Sequence, residues 1–103
     1  MSIFKKLLGG AANPGLNNIN SSEAFLVDVR EPYEFAEGSV KGAVNIPLSS
    51  IPASLDAFCG KKDIVVFCRS GNRSAQAAGI LKANGIGNVV NGGSWQQVQK
   101  MLQ

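Results

Sequence analysis

Apolar residues in this chain come in short unbroken runs, separated by polar segments that carry glycine. Phe25-Leu26-Val27-Asp28-Val29 is one run and Ile64-Val65-Val66-Phe67 another. Neither keeps a strict period of two, so each predicts a strand buried on both faces. Ala43-Val44-Asn45-Ile46, closed by Pro47, and Val89-Val90 predict two further short strands. Helix signals lie between them. Pro32 near the start of Glu31–Glu37, with acid in the first turn, predicts a short helix stopped at Gly38. Ser49 or Ser50 is placed to cap a helix over roughly 51–58. The helix predicted over 73–84 is dense in small residues, Ala75, Ala77, Ala78 and Gly79, which permit close approach to a sheet; Gly85 after Asn84 marks its end. Asn91-Gly92-Gly93 predicts a turn. Over 95–102, Val98, Met101 and Leu102 share one face of an amphipathic helix, with Trp95 one turn earlier.

Strands alternating with helices predict an α/β fold, with a central parallel sheet of four to five strands flanked by helices. In such sheets ligands gather beyond the carboxyl ends of the strands. Two segments fall there: Asp28-Val29-Arg30, and the loop Cys68-Arg69-Ser70-Gly71-Asn72-Arg73-Ser74. The loop directs backbone N–H groups, a helix N-terminus and arginine charge at one sulfur. Those surroundings favour thiolate over thiol and suit an anionic substrate.

Composition narrows the chemistry. The 103 residues are 45% apolar and 17% charged, enough for one domain with a modest core. Residues 1–22, rich in Gly, Asn and Ser, read as an N-terminal arm with a short helical turn, and 23–103 as the domain. The net charge of +3 is spread, and the doublets Lys5-Lys6 and Lys61-Lys62 read as solvated surface, so no nucleic-acid partner is expected. The chain has no histidine, which removes Cys-His and Ser-His catalysis and imidazole-dependent zinc sites; no metal and no cofactor are expected. The strand between Cys59 and Cys68 separates them by roughly 15 Å, beyond disulfide reach. Cys59 then reads as a small, partly buried apolar residue. Two unpaired cysteines suit a reducing compartment. The apolar stretch after Lys6 is broken by Asn13-Pro14-Gly15, short for a signal peptide, and no window reaches a membrane span. A cytoplasmic monomer is expected.

The chain resembles the rhodanese family of sulfurtransferases. The matching pieces are Phe25–Glu31, Glu34–Gly38, Lys41–Leu48, Cys68–Ser74 and Asn91-Gly92-Gly93, in that order, over roughly residues 23–102. The resemblance implies a small three-layer rhodanese-like domain whose Cys68 carries a persulfide. Four residues separate Cys68 from Arg73. Cysteine phosphatases related to this family have one residue more. A tighter ring suits one transferred sulfur atom, and a wider ring suits phosphate. The resemblance thus implies attack by Cys68 on an anionic donor such as thiosulfate, then transfer to a thiol or cyanide. Arg69, Ser70, Gly71, Asn72, Arg73 and Ser74 would bind substrate, with Asp28 and Arg30 bracing the loop. For Arg73 a structural ion pair competes with substrate contact, and Trp95 reads as core or as a lid at the site's edge. Many family members carry histidine where Ser39 stands. Two other functions stay open: a relay or interaction module loaded by a partner protein, and a cysteine phosphatase or arsenate reductase.

Overall fold

The unbroken apolar runs become the middle of a sheet. The structure, a computed structural model, describes residues 23–102. Strands β1 (Phe25–Asp28), β2 (Val44–Asn45), β3 (Ile64–Cys68) and β4 (Val89–Ser94) pair in the order β2-β1-β3-β4, all parallel. All five residues of β3 are buried, as expected for a strand covered on both faces. The helices are α1 (Pro32–Glu37), α2 (Asn72–Ala83) and α3 (Trp95–Leu102). The expected arm 1–22 lies outside the described residues.

Side chains of β3 alternate between two cores, as the period of a strand requires. Ile64, Val66 and Cys68 join Ala77, Ala78 and Leu81 of α2 with Ile51 and Phe58. Val65 and Phe67 join Val98 and Met101 of α3 with Leu26 and Val40. These are the three layers, and Cys68 faces the α2 layer. Burying each large aliphatic side chain contributes about 1.5–3 kcal/mol. Among the small residues of α2, Ala77 and Ala78 are buried, but Ala75 and Gly79 face outward. Close approach to the sheet therefore rests on two of the four.

Three expectations are corrected. The helix expected over 51–58 is two 3₁₀ segments, Leu48–Ala53 and Leu55–Phe58. Their bonds run three residues back, as in Ser54 N–H to Ile51 O (2.9 Å) and Ala57 N–H to Ser54 O (3.0 Å). Pro52 offers no N–H, and in an α-helix its ring would meet the carbonyl of Leu48. Ser49 and Ser50 lie inside the first segment and do not cap it. The turn expected at Asn91-Gly92-Gly93 is part of β4. Asn91 pairs with Val66 and Gly93 with Phe67, leaving Gly92 as an extra residue in a bulge. A Cβ on Gly92 would lie 2.7 Å from Val98 Cγ2 and 2.9 Å from Val65 Cγ1, so glycine is what lets the strand continue. Cys59 is exposed, not partly buried; its thiol and that of Cys68 are both free.

Lys61 and Lys62 are exposed. Lys61 Nζ sits 4.7 Å from the Phe25 ring centroid, and Lys62 pairs with Glu23 at 3.6 Å. No helix among the described residues is long and apolar enough to cross a membrane.

Candidate active site

Cys68 is the last residue of β3, at the carboxyl edge of the sheet. The chain then reverses into α2 through Gly71, whose φ of 100° is left-handed and would strain any residue with a Cβ. That reversal brings the Gly71 N–H to 3.0 Å from Cys68 Sγ. The Ser74 hydroxyl, in the first turn of α2, lies 3.4 Å from the same sulfur. Burial pushes the Cys68 thiol pKa up. Bonds from the Ser74 hydroxyl and from the N–H groups of Ser74, Ser70 and Gly71 outweigh burial and hold it below the ordinary thiol value. The sulfur thus sits in a ring of donors without histidine. Cys68 itself has no exposed surface.

The other loop residues divide. Arg69, Ser70 and Asn72 are exposed, while Ser74 is fully buried. Arg73 turns to α1 and makes a forked pair with Glu34, Nη1 to Oε1 at 2.7 Å and Nη2 to Oε2 at 3.1 Å. Hydrogen bonding to Arg73 brings the Glu34 carboxyl down to about 2. The same bond raises Arg73, to which the charge of Cys68 adds a smaller contribution. Of the two loop arginines, Arg69 is the one directed at open space.

Asp28 points to the opposite face of the sheet from Cys68. Its carboxylate accepts from Arg30 N–H (3.0 Å), Nε (3.0 Å) and Nη2 (2.7 Å), and from the Ser39 hydroxyl (2.7 Å). Arg30 Nη2 also donates to Gly38 O (2.6 Å), and its guanidinium lies 5.2 Å from the Trp95 ring centroid. The Asp28–Arg30 pair thus ties the Gly38-Ser39 segment and Trp95. No direct bond runs from it to the cysteine loop among the described residues. Ser39 thus serves as one of the donors to Asp28.

Beside the loop is a hollow of about 340 Å³, lined by Arg30, Tyr33, Glu34, Glu37, Gly38, Arg69, Trp95 and Gln96. Trp95 is a wall of this hollow and also packs with Val65, Phe67 and Val98. Cys68 does not line the hollow; Arg69, its chain neighbour, does. Among the described residues no three His, Cys, Asp or Glu side chains converge as metal ligands.

A parallel α/β sheet, a donor ring around a strand-end cysteine and a Gly71-hinged turn into a helix coincide with a family model. A model described as a rhodanese-like domain matches residues 12–100. The chain belongs to the rhodanese family. This rhodanese domain is 38% identical over 72 residues to a sulfurtransferase of Allochromatium vinosum, covering 70% of this chain and 67% of the relative. It is 36% identical over 74 residues to the thiosulfate sulfurtransferase PspE of Escherichia coli, covering 70% and 71%. Among solved structures it matches the human single-domain sulfurtransferase TSTD1 with a TM-score of 0.67 and 29% identity, covering 78% of this chain and 84% of that one. A sulfurtransferase-family function follows for the rhodanese domain.

Two residues of the site escape sequence reasoning. Glu34 carries an ordinary helix-start signal and shows nothing of its pairing with Arg73, 39 residues away. Asn91 reads as a turn residue, yet its side chain reaches Ser74 and Gly71. Only the parallel register of β4 against β3 brings it there.

Proposed function

We propose that this rhodanese domain moves sulfane sulfur from thiosulfate, through a persulfide on Cys68, to a thiol or to cyanide. The observation that carries the reading is the Gly71 N–H held 3.0 Å from Cys68 Sγ, with the Ser74 hydroxyl 3.4 Å from the same sulfur. The backbone N–H donors are fixed and stabilise charge on sulfur without reorganising, and the Ser74 hydroxyl can turn to join them. The thiolate of Cys68 attacks the outer sulfur of thiosulfate. The bond between the two thiosulfate sulfurs breaks, and sulfite leaves with its electron pair. The acceptor then attacks the outer sulfur of the persulfide, and Cys68 thiolate is released. Both steps conserve charge, and a thiol acceptor attacks as its thiolate, having given its proton to solvent.

Exposed Arg69 receives the donor's anionic end, and Arg73 supplies a fixed positive field from its pair with Glu34. Ser70, Gly71 and Ser74 hold the sulfur, and Asn72 offers a polar rim. Asp28 and Arg30 support the wall opposite the loop. The four-residue span from Cys68 to Arg73 favours sulfur over phosphate. On this reading the domain comprises 23–103 as a monomer, and the two free thiols suit a cytoplasmic location.

Incubation with thiosulfate should raise the intact mass by one sulfur atom, and cyanide should reverse the gain with release of thiocyanate. Cys68→Ser should lose the adduct and Cys59→Ser should keep it. Absence of both adduct and thiocyanate sinks the thiosulfate reading. Loading only from a partner desulfurase would replace it with a relay, and turnover of an aryl phosphate with a phosphatase.

A further inference from the structure

The buried hydroxyl of Ser74 is asked to do two things with one proton. It lies 2.6 Å from Asn91 Oδ1 and 3.4 Å from Cys68 Sγ. The orientation of the Asn91 amide follows from its other partners. Gly93 N–H donates to Oδ1 at 3.0 Å, and Nδ2 donates to Gly71 O at 3.1 Å. A reversed amide would set donor against donor at Gly93 and acceptor against acceptor at Gly71. The atom facing Ser74 is therefore an acceptor, and the Ser74 O–H points to it. With that proton committed, the Ser74 oxygen presents only lone pairs to Cys68. This suits a thiol, whose S–H donates to Ser74 Oγ, and opposes a thiolate. When Cys68 ionises, the hydroxyl must turn to the sulfur and leave Asn91 Oδ1 with Gly93 N–H alone.

We propose that Asn91 is a positioning residue that governs the ionisation of Cys68 by competing for the single hydroxyl proton of Ser74. The fold builds this competition deliberately into one face of the sheet. Asn91 pairs with Val66, on the same face as Cys68, and the Gly92 bulge follows it directly. Removing the Asn91 acceptor frees the hydroxyl for the thiolate. The loop is not released by the same change, because Gly71 O still accepts Ala75 N–H at 3.0 Å.

Other charges near Cys68 do not imitate this effect. From α2 the neighbour is Arg73, and from α1 it is Glu34, paired with Arg73. Both titrate far from neutrality. From β1 the Asp28–Arg30 pair lies on the other face, and Arg69 is exposed. Neither β4 nor the 3₁₀ segment Leu48–Ala53 carries an ionisable side chain.

The inference rests on Cys68 being the working thiol of the proposed sulfur transfer, but its test uses no sulfur donor. Thiolate absorbance near 240 nm is followed against pH in a Cys59→Ser background, where Cys68 is the remaining thiol. Cys68→Ser marks the blank. Asn91→Leu should lower the midpoint by about half to one pH unit, the size of one lost competing hydrogen bond. Ser74→Ala should raise it. In the Ser74→Ala background, Asn91→Leu should move it by less than about a third of that shift. An equal shift with and without the hydroxyl, or no shift from Asn91→Leu alone, overturns the proposal. If Asn91→Leu fails to fold, as judged by near-UV circular dichroism, Asn91→Asp takes its place. It keeps an acceptor and strengthens it, so the midpoint should rise more when Ser74 is present than when it is alanine; an equal rise overturns the proposal. Loss of sulfur loading with these shifts intact would count against the transfer reading alone.

Discussion

The two loop arginines differ in what holds them. Arg73 is locked to Glu34 by two hydrogen bonds, with its side chain one-third exposed. Arg69 is exposed and makes no hydrogen bond or ion pair among the described residues, yet it walls the hollow beside Cys68. A cation with no partner among the described residues is available to an anion, and one such contact in a solvated site is worth about 1–2 kcal/mol. Arg69→Ala should therefore raise the KM for thiosulfate about tenfold and leave the thermal midpoint nearly unchanged. Steady-state kinetics beside a melting curve checks both. A large fall in stability with no change in KM would assign Arg69 to the scaffold. The sequence showed both arginines near Cys68 but not which was engaged, because Glu34 is brought to Arg73 by the sheet and not by proximity in the chain.

At the scale of elements, signals confined to one segment were legible. The apolar runs became β1 and β3, Pro32 opened α1, and Val98 with Met101 faced inward on α3. What depended on pairing was not legible. Gly92 and Gly93 carry strong turn chemistry, and β3 draws them into β4 nonetheless. The 3₁₀ path from Leu48 to Phe58 differs: Pro52, the residue that disfavours an α-helix there, stands in the sequence itself. The place of Cys68 at a strand end was legible because a strand followed by a glycine-bearing loop is a local arrangement; the approach of Asn91 to Ser74 was not, because it needs two strands in register. The bulge itself can be tested. A methyl group at Gly92 would meet two valine side chains whose branched tips have little freedom to withdraw. Gly92→Ala should cost about 1–3 kcal/mol, and the thermal midpoint should fall by roughly 4–8 °C per kcal/mol. Gly87→Ala, which meets nothing within 4 Å, is the control. Equal melting of the two variants would show that β4 shifts freely against α3.

At the scale of the molecule, the Glu34–Arg73 pair joins α1 to the start of α2 and so closes one side of the hollow against the cysteine loop. Its cost and benefit depend on acid. Hydrogen bonding to Arg73 holds the Glu34 carboxyl down from the ordinary 4.5 to about 2 in the folded protein. Stabilisation from a depressed carboxyl is present above the unfolded value and is lost as pH falls through the folded one. The pair therefore contributes fully above pH 4.5 and fades toward pH 2. Partial exposure of Arg73 reduces its worth to about 1 kcal/mol. Glu34→Gln removes the ionisation but keeps the shape of the side chain. It should lower stability to urea by that amount near neutrality, and the variant should lose less stability than the wild type between pH 4.5 and 2. Urea unfolding at a series of pH values reads both. Parallel acid limbs in the two proteins would show that the pair does not hold α1 to the loop, and the hollow would then owe its shape to its other walls.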